Sequence, residues 1–412
     1  MDILFVVPYA PNLVRTRPYN LIRALSRRGN RVTVLTLWTN EQERADLHRL
    51  QRDVHQVAAL PMPMWRSLWN CVRALPSSTP LQSVFSWRSD LFDSLDGRFP
   101  REFDVAHVEH LRGSRYGLHL KKSDGLPVVW DSVDCITHLF SQSAAKSKNL
   151  LGRWRSQFDL ARTEKYEGFL RDQFDHVLVT SPVDQQELSA LGMNGQTWRP
   201  PVSVLRNGVD LAYFTPDETA VREPATLVIS GKMSYHANIS MTLRLVEEIM
   251  PRVWQKWQDV KLWIVGKDPS HEIQSLAAHP AVTVTGTVAD LRPYLRQATI
   301  AVSPVAYGAG IQNKVLEAMA CATPVITTPQ AVSALEIVPD RDVVVAEENG
   351  RFADAILSLL ADPERQGQIG QAGLAHVRQH HDWDGIAAQL ETIYQQAMAD
   401  MPATRLAGQK VV

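Results

Sequence analysis

The sequence predicts an α/β protein made of two doubly wound parallel-sheet domains, on three observations. Short apolar, β-branched runs alternate with helical segments through both halves of the 412 residues. The pattern breaks around Arg199-Pro-Pro201, and after Asn207-Gly-Val-Asp-Leu-Ala-Tyr-Phe214 and a polar stretch to Pro224 a second strand series begins. In that second half Gly231-Lys232, Gly266-Lys267, Gly286-Thr287 and Pro304 to Gly310 follow strands immediately. Four loops distant in sequence thus converge on one sheet edge, the edge at which such sheets bind ligands.

The first element is a strand from Ile3 to Val7, followed by a loop from Pro8 to Thr16 and an amphipathic helix through Tyr19-Asn-Leu-Ile-Arg-Ala-Leu25. A strand from Arg31 to Leu37 completes a βαβ unit, whose right-handed crossover makes the sheet parallel. Strands are expected at Val105 to Glu109, Pro127 to Trp130 and His176 to Thr180, with a long, charge-rich helix over Trp154 to Phe174. The second series runs Leu227 to Ser230, Lys261 to Val265, Val282 to Thr285, Ile300 to Ser303 and Pro324 to Thr327. Helices over Asn349 to Leu360 and Gly385 to Met398 close the chain, and the last ten residues read as a loose tail. The expected division is 1–200, 201–384 and a terminal segment 385–412 whose helix packs back towards the first domain.

The stretch Tyr307-Gly-Ala-Gly-Ile-Gln-Asn-Lys-Val-Leu-Glu-Ala-Met-Ala320, running into Pro324-Val-Ile-Thr-Thr328, reads as a phosphate-binding loop, a helix start and a strand. Gly308 and Gly310 let the backbone approach a ligand, and the following helix offers unpaired amides at its positive end. At about 100° per residue, Val315, Leu316 and Met319 face the core, while Lys314, Glu317, Ala318 and Cys321 fall on the other side. A lysine in the first turn opposes the helix dipole unless an anion or a carboxylate compensates it. One reading is a solvated pair between Lys314 and Glu317. The other is a nucleoside diphosphate, with pyrophosphate on the loop and Lys314 and ribose hydroxyls on Glu317. Small Ala318 and Cys321, and a glycine pair without other purpose, favour the second.

A formal net charge of −1 argues against a general nucleic-acid binder, which needs a large basic surplus. Cys71, Cys135 and Cys321 have neither metal nor disulfide spacing, which suits a reducing cytoplasm. Met1-Asp-Ile-Leu-Phe-Val-Val7 reads as a buried strand rather than a signal peptide, and no apolar run approaches the roughly 20 residues of a membrane span. No metal-ligand cluster is visible, so no metal is expected.

Together these residues resemble glycosyltransferase family 4, retaining enzymes of the GT-B fold with two facing Rossmann-like domains. The resemblance covers nearly the whole chain: the opening strand and loop, Asn207-Gly-Val-Asp210 with Phe214, Gly231-Lys232, Ile264-Val-Gly266, Val284-Thr-Gly286, Leu316-Glu-Ala-Met-Ala320 with Pro324-Val-Ile326, and a closing segment around Trp383. Gly310-Ile-Gln-Asn-Lys-Val-Leu-Glu-Ala-Met-Ala320, Tyr235-His-Ala-Asn238, Asp290-Leu-Arg-Pro-Tyr294 and Asp131-Ser-Val-Asp134 followed by Glu164-Lys-Tyr-Glu167 are similar to the bacterial exopolysaccharide-associated sugar transferases. The resemblance implies a sugar transferred from a nucleoside-diphosphate sugar, acting as co-substrate with no further cofactor, to a glycan, lipid-linked or small-molecule acceptor. It implies that Glu317 holds the ribose, that Lys232 neutralises the diphosphate, and that Gly308, Ala309, Gly310 and Ile311 contact phosphate and sugar. Gly231, Asn238, Gly266, Lys267, Thr287 and Lys314 complete the expected donor side.

Several positions depart from the family pattern. Ala309 stands where the first glutamate of the family pair belongs, and Asn238 where a second basic residue is expected. Lys314 is placed to supply that charge. Val133 replaces a histidine on the acceptor side, leaving Asp134 and Asp131 as polar candidates, and Leu13-Val-Arg-Thr16 replaces a glycine pair, so that Arg15 and Arg17 are candidates to reach the diphosphate. Lys232, Lys314, Glu317 and Asp134 are the expected catalytic set.

In Ala106-His-Val-Glu-His110, His107 is either a structural or a functional histidine, and Glu109 or His110 is placed for acceptor contact at the strand end. Trp65, Trp69 and Trp87 lie with Arg66, Arg73 and Arg88 in a segment that either packs the first domain or makes a peripheral contact with the inner face of the cytoplasmic membrane. A non-catalytic nucleotide-sugar binder and a GT-B epimerase are the rival readings.

Overall fold

A computed structural model of the protein describes residues 1–95, 102–122, 126–146, 150–191, 199–305 and 312–400. It divides into two compact units, Met1–Arg206 together with Trp383–Val412, and Asn207–Asp382. The expected tail falls within 401–412, outside the described residues.

The first unit holds a seven-stranded sheet of β1 (Asp2–Val7), β2 (Arg31–Trp38), β3 (Gln56–Pro61), β4 (Val105–Glu109), β5 (Val128–Val133), β6 (His176–Val179) and β7 (Val202–Val204), in the order β3-β2-β1-β4-β5-β6-β7. Every pairing is parallel. The order reverses between β1 and β4, so the loops leaving Val7 and Glu109 flank the switch point. β1 is buried on both faces, with Ile3, Leu4, Phe5, Val6 and Val7 fully covered, as a strand with helices on both sides requires.

The division falls at Asn207 rather than at residue 201, because Val202–Val204 pairs with β6 and extends the first sheet. The Trp383–Ala399 helix belongs to the first unit as well. Its Ile386, Leu390, Ile393 and Tyr394 pack with Leu21, Ile22 and Leu25 of the Thr16–Arg27 helix, and Arg28 bridges to Asp384 and Glu391 at 3.0 Å each. β3, β7 and a short strand near residue 344 are not expected from the sequence; β7 and the strand near 344 are brief, and β3 is an edge strand paired along its length with β2.

The second unit holds β8 (Thr226–Ser230), β9 (Lys261–Val265), β10 (Val282–Gly286), β11 (Ile300–Ser303), β12 (Val325–Thr327) and β13 (Val344–Val345), in the order β10-β9-β8-β11-β12-β13. It too is wholly parallel, with its switch point between β8 and β11. The Asn313–Ala320 helix lies between β11, β12 and the Pro363–His380 helix. Among the described residues no helix is long and apolar enough to cross a membrane.

Candidate functional site

At the switch point of the second sheet two glycines set the geometry. Gly231 (φ +149°) and Gly266 (φ +155°) end β8 and β9 in a conformation that favours glycine. A Cβ on Gly266 would lie 1.7 Å from the Gly231 carbonyl oxygen, and one on Gly231 would lie 2.8 Å from the Asn238 amide nitrogen. The two loops are stitched further by Gly231 N–H to the Val265 carbonyl at 3.1 Å and Met233 N–H to the Lys267 carbonyl at 2.9 Å.

Asn238, in the first turn of the His236–Arg244 helix, joins these loops to the next. Its amide donates to the Lys232 carbonyl at 2.9 Å, and its Oδ1 accepts from Lys314 Nζ at 2.9 Å. Lys314 also donates to Gln312 Oε1 at 3.1 Å. Burial, partly offset by the Glu317 charge, lowers the Lys314 ammonium to about 8. Glu317, one turn on and half-buried, is pushed up to about 7 by burial against the pull of Lys314. Among the described residues no ion pair closes between the two, so the solvated-pair reading does not hold. Lys232 is exposed and Lys267 half-buried beside them.

One expectation changes. Ala318 and Cys321 do not line a ligand face: both are buried core residues, with the Cys321 thiol beside Arg296 and Arg222. Thr287 follows β10, an edge strand separated from β8 by β9. Gly308, Ala309, Gly310 and Ile311 lie outside the described residues.

In the first unit the polar residues gather at the carboxyl ends of β4 and β5. Arg17 is 5% exposed and holds Asp131 through Nη2 at 2.8 Å and Nε at 2.9 Å, while its Nη1 donates to the Arg206 carbonyl at 3.2 Å. Burial would raise the Asp131 carboxyl, but Arg17 and His107 outweigh it and hold it below its usual range. His107 is fully buried, stacks on Phe5 at 4.1 Å and shares a 2.9 Å hydrogen bond with the Tyr394 hydroxyl. Its burial lowers its pKa, so it is a neutral structural histidine. Arg15 donates to Glu43 at 3.0 Å and to the Ala10 carbonyl at 3.2 Å, with its guanidinium over Tyr9. Arg17 and Asp131 are therefore a buried strut of the first sheet, whereas Arg15 is held at its edge with its side chain partly exposed.

Three groups remain at this edge. Glu109 accepts from the Tyr9 hydroxyl at 3.0 Å, and its other oxygen has no hydrogen-bond partner among the described residues. Burial and then the Asp131 charge push it up to about 8, so it carries a proton at neutral pH. His110, at φ +62°, is lowered to about 4 by burial and then Arg112, and is neutral. Asp134 follows Val133, a β-branched residue strained at φ +71°, and is raised to about 6 by burial and then the Asp184 charge. Among the described residues no three metal-binding side chains gather closely enough to hold an ion.

Residues 14–208 match the family described as glycosyl transferase 4-like domain, and residues 224–362 match glycosyl transferases group 1. Both halves are glycosyltransferase domains. Among curated proteins the chain is 26% identical to D-inositol 3-phosphate glycosyltransferase 2 of Catenulispora acidiphila over 50% of its own length and 52% of that protein's. It is 28% identical to alpha-maltose-1-phosphate synthase of Mycolicibacterium smegmatis over 48% of its length and 57% of that protein's. The chain therefore spans a little over half the length of these relatives. Among solved structures, sucrose-phosphate synthase from Thermosynechococcus elongatus superposes with a TM-score of 0.65 at 17% identity, covering 97% of this chain and 100% of that one. Anabaena HepE in complex with UDP gives 0.66 at 13% identity, covering 96% and 100%. These likenesses establish a GT-B fold with two parallel-sheet Rossmann-like domains.

In the first of these domains the Glu164-Lys-Tyr-Glu167 motif has a structural purpose. Glu167 accepts from the Ile136 and Thr137 amides at 3.0 and 2.7 Å, capping the Ile136–Lys146 helix that follows Asp134. Sequence reasoning also missed Arg244, whose guanidinium holds the Pro304 carbonyl at 3.3 Å and Asn349 at 2.8 Å and so anchors the start of the switch-point loop. A helical arginine carries no local sign of such a partner.

Proposed function

We propose that the protein is a retaining glycosyltransferase that moves a sugar from a nucleoside-diphosphate sugar to a hydroxyl of a glycan, lipid-linked or small-molecule acceptor. In this reading it works in exopolysaccharide or cell-surface glycan synthesis, in the cytoplasm at the inner face of the membrane. The supporting observation is the hydrogen-bonded chain from Lys314 through Asn238 to the Lys232 carbonyl at the second switch point. It holds a desolvated ammonium where a diphosphate on the 231–232 and 308–311 loops would develop charge as it leaves. Asn238, though neutral, thereby orients the lysine that replaces the family's second cation. Glu317 receives the ribose hydroxyls, and Asp134 and His110 take the acceptor side. The acceptor hydroxyl attacks on the face from which the diphosphate departs, so configuration is retained.

Calorimetry with uridine, guanosine and thymidine diphosphates, followed by turnover with the matching nucleotide sugars, tests this reading. Micromolar binding of one diphosphate is expected, weakened about tenfold to a hundredfold by Lys314→Ala, in keeping with about 1.5–3 kcal/mol for a hydrogen bond to a charged group. Glu317→Ala should weaken binding of the nucleoside diphosphate while leaving inorganic pyrophosphate unaffected. Binding without turnover for every donor and acceptor would favour a non-catalytic nucleotide-sugar binder. Rearrangement of the donor without transfer would favour an epimerase.

A further inference from the structure

The Met64–Ala74 helix in the first unit is built inside out. Its inward positions are small or polar: Ser67 is 2% exposed, Ala74 is 7% exposed, and Asn70 donates to the Val84 and Trp87 carbonyls at 3.1 and 2.9 Å. Its outward positions are Met64, Trp65, Leu68, Trp69 and Val72, with Leu75 at its end, all at least 48% exposed. At about 100° per residue these fall on one continuous apolar arc, and Arg66 and Arg73 fall together along one border of it. Trp65, Leu68, Trp69 and Val72 line a shallow apolar depression. A surface helix ordinarily turns the opposite face outward. Trp87, the third tryptophan of the segment, packs on Tyr116 at 4.8 Å and belongs to the core, so the exposed pair is a separate feature.

We propose that this outward face is a docking surface for a lipid leaflet bearing anionic headgroups, with Trp65, Leu68, Trp69 and Val72 entering the interface and Arg73 at its border. Charge selects this occupant. From Val54 to Ser89 the chain carries Arg66, Arg73 and Arg88 and no Asp or Glu, although the whole chain is at −1. Arg66 and Arg88 both reach Asp90, while Arg73 is exposed and has no ion-pair partner among the described residues. A second copy docked face to face would set Arg73 against a face whose nearby carboxylate, Asp90, is already held by Arg66 and Arg88. An anionic headgroup answers it directly, and tryptophan suits the boundary between headgroups and acyl chains. The helix is about 16 Å long at 1.5 Å per residue, so it lies in the plane of the leaflet rather than crossing it. It begins just beyond the carboxyl end of β3, the edge of the first sheet that also carries His110 and Asp134. Docking there brings that edge to the leaflet, which suits an acceptor hydroxyl presented on a lipid; this last consequence rests on the proposed transferase reading.

Flotation of the full chain with phosphatidylcholine vesicles, with and without phosphatidylglycerol, tests the docking surface. Binding is expected with phosphatidylglycerol and should fall with added salt. The double variant Trp65→Ser/Trp69→Ser should lower the bound fraction about tenfold or more, Arg73→Glu should lower the phosphatidylglycerol-dependent part, and Trp257→Ser in the second unit should change nothing. Each variant should keep the wild-type thermal transition and nucleoside-diphosphate affinity, so failure here is distinguishable from failure of the donor-site reading. Three results would overturn the proposal: no binding to either vesicle, undiminished binding of the double variant, or a dimer that dissociates in the double variant without vesicle binding.

Discussion

Lys314 shows how one side chain carries information in both directions. Its pKa of about 8 lies below the 10.5 of an ordinary lysine, so between those values the unfolded chain binds more protons than the folded one. The ligand-free protein therefore gains stability from this group as pH rises through that window. Glu317 acts oppositely on its carboxyl: raised to about 7 from 4.5, it costs stability as pH rises from 4.5 to 7. A bound diphosphate favours the charged ammonium, so diphosphate affinity should hold up to about pH 8 and decline above it. Titration calorimetry at pH 7 and pH 9 checks this, and Lys314→Met should remove the dependence together with most of the affinity. Gly266→Ala places a Cβ against the Gly231 carbonyl at 1.7 Å, and the transition in urea should show a loss of about 2 kcal/mol or more. Glycines after strands and a lysine against a helix dipole are local signals, and the sequence carries them openly. The commitment of Arg17 to Asp131 was hidden, because the two are 114 positions apart and arginine looks the same in a strut as in a ligand site.

The elements repeat this contrast between local pattern and distant partner. Periodicity divides the Met64–Ala74 helix into two faces, but only the positions of its neighbours decide which face is covered. Likewise 3.6-residue spacing located the Asn313–Ala320 helix, while neighbours distant in sequence made Ala318 and Cys321 core residues instead of ligand contacts. The Trp383–Ala399 helix is tied to β4 through the Tyr394 hydroxyl and His107, and His107 faces Asp131 at 3.6 Å. Asp131→Asn leaves the Arg17 guanidinium buried without its carboxylate, and should cost about 3–5 kcal/mol in chemical unfolding. Tyr394→Phe deletes one hydrogen bond and should cost about 1 kcal/mol. A chain ending at Asp382 exposes the apolar surfaces that Ile386, Leu390 and Tyr394 cover; its first unit should fail to give a cooperative transition, as monitored by circular dichroism.

At the scale of the whole molecule, the two sheets share one plan, each reversing its strand order at a switch point. The alternation of strand and helix made this plan readable in the sequence; the edge strand β3 and the short strands β7 and β13 were not. The second unit is one uninterrupted segment with its own core, so residues 207–382 expressed alone should fold cooperatively and retain the diphosphate affinity of the full chain, measured by calorimetry. The first unit is not continuous, and this sets an order in time. Tyr394 lies 287 positions after the histidine it meets. During synthesis, at roughly 5–20 residues per second, the first sheet leaves the ribosome tens of seconds before its last helix exists, and the entire second unit is made in between. The nascent chain therefore waits with the apolar faces of Leu21, Ile22 and Leu25 uncovered, a window in which a chaperone has something to hold.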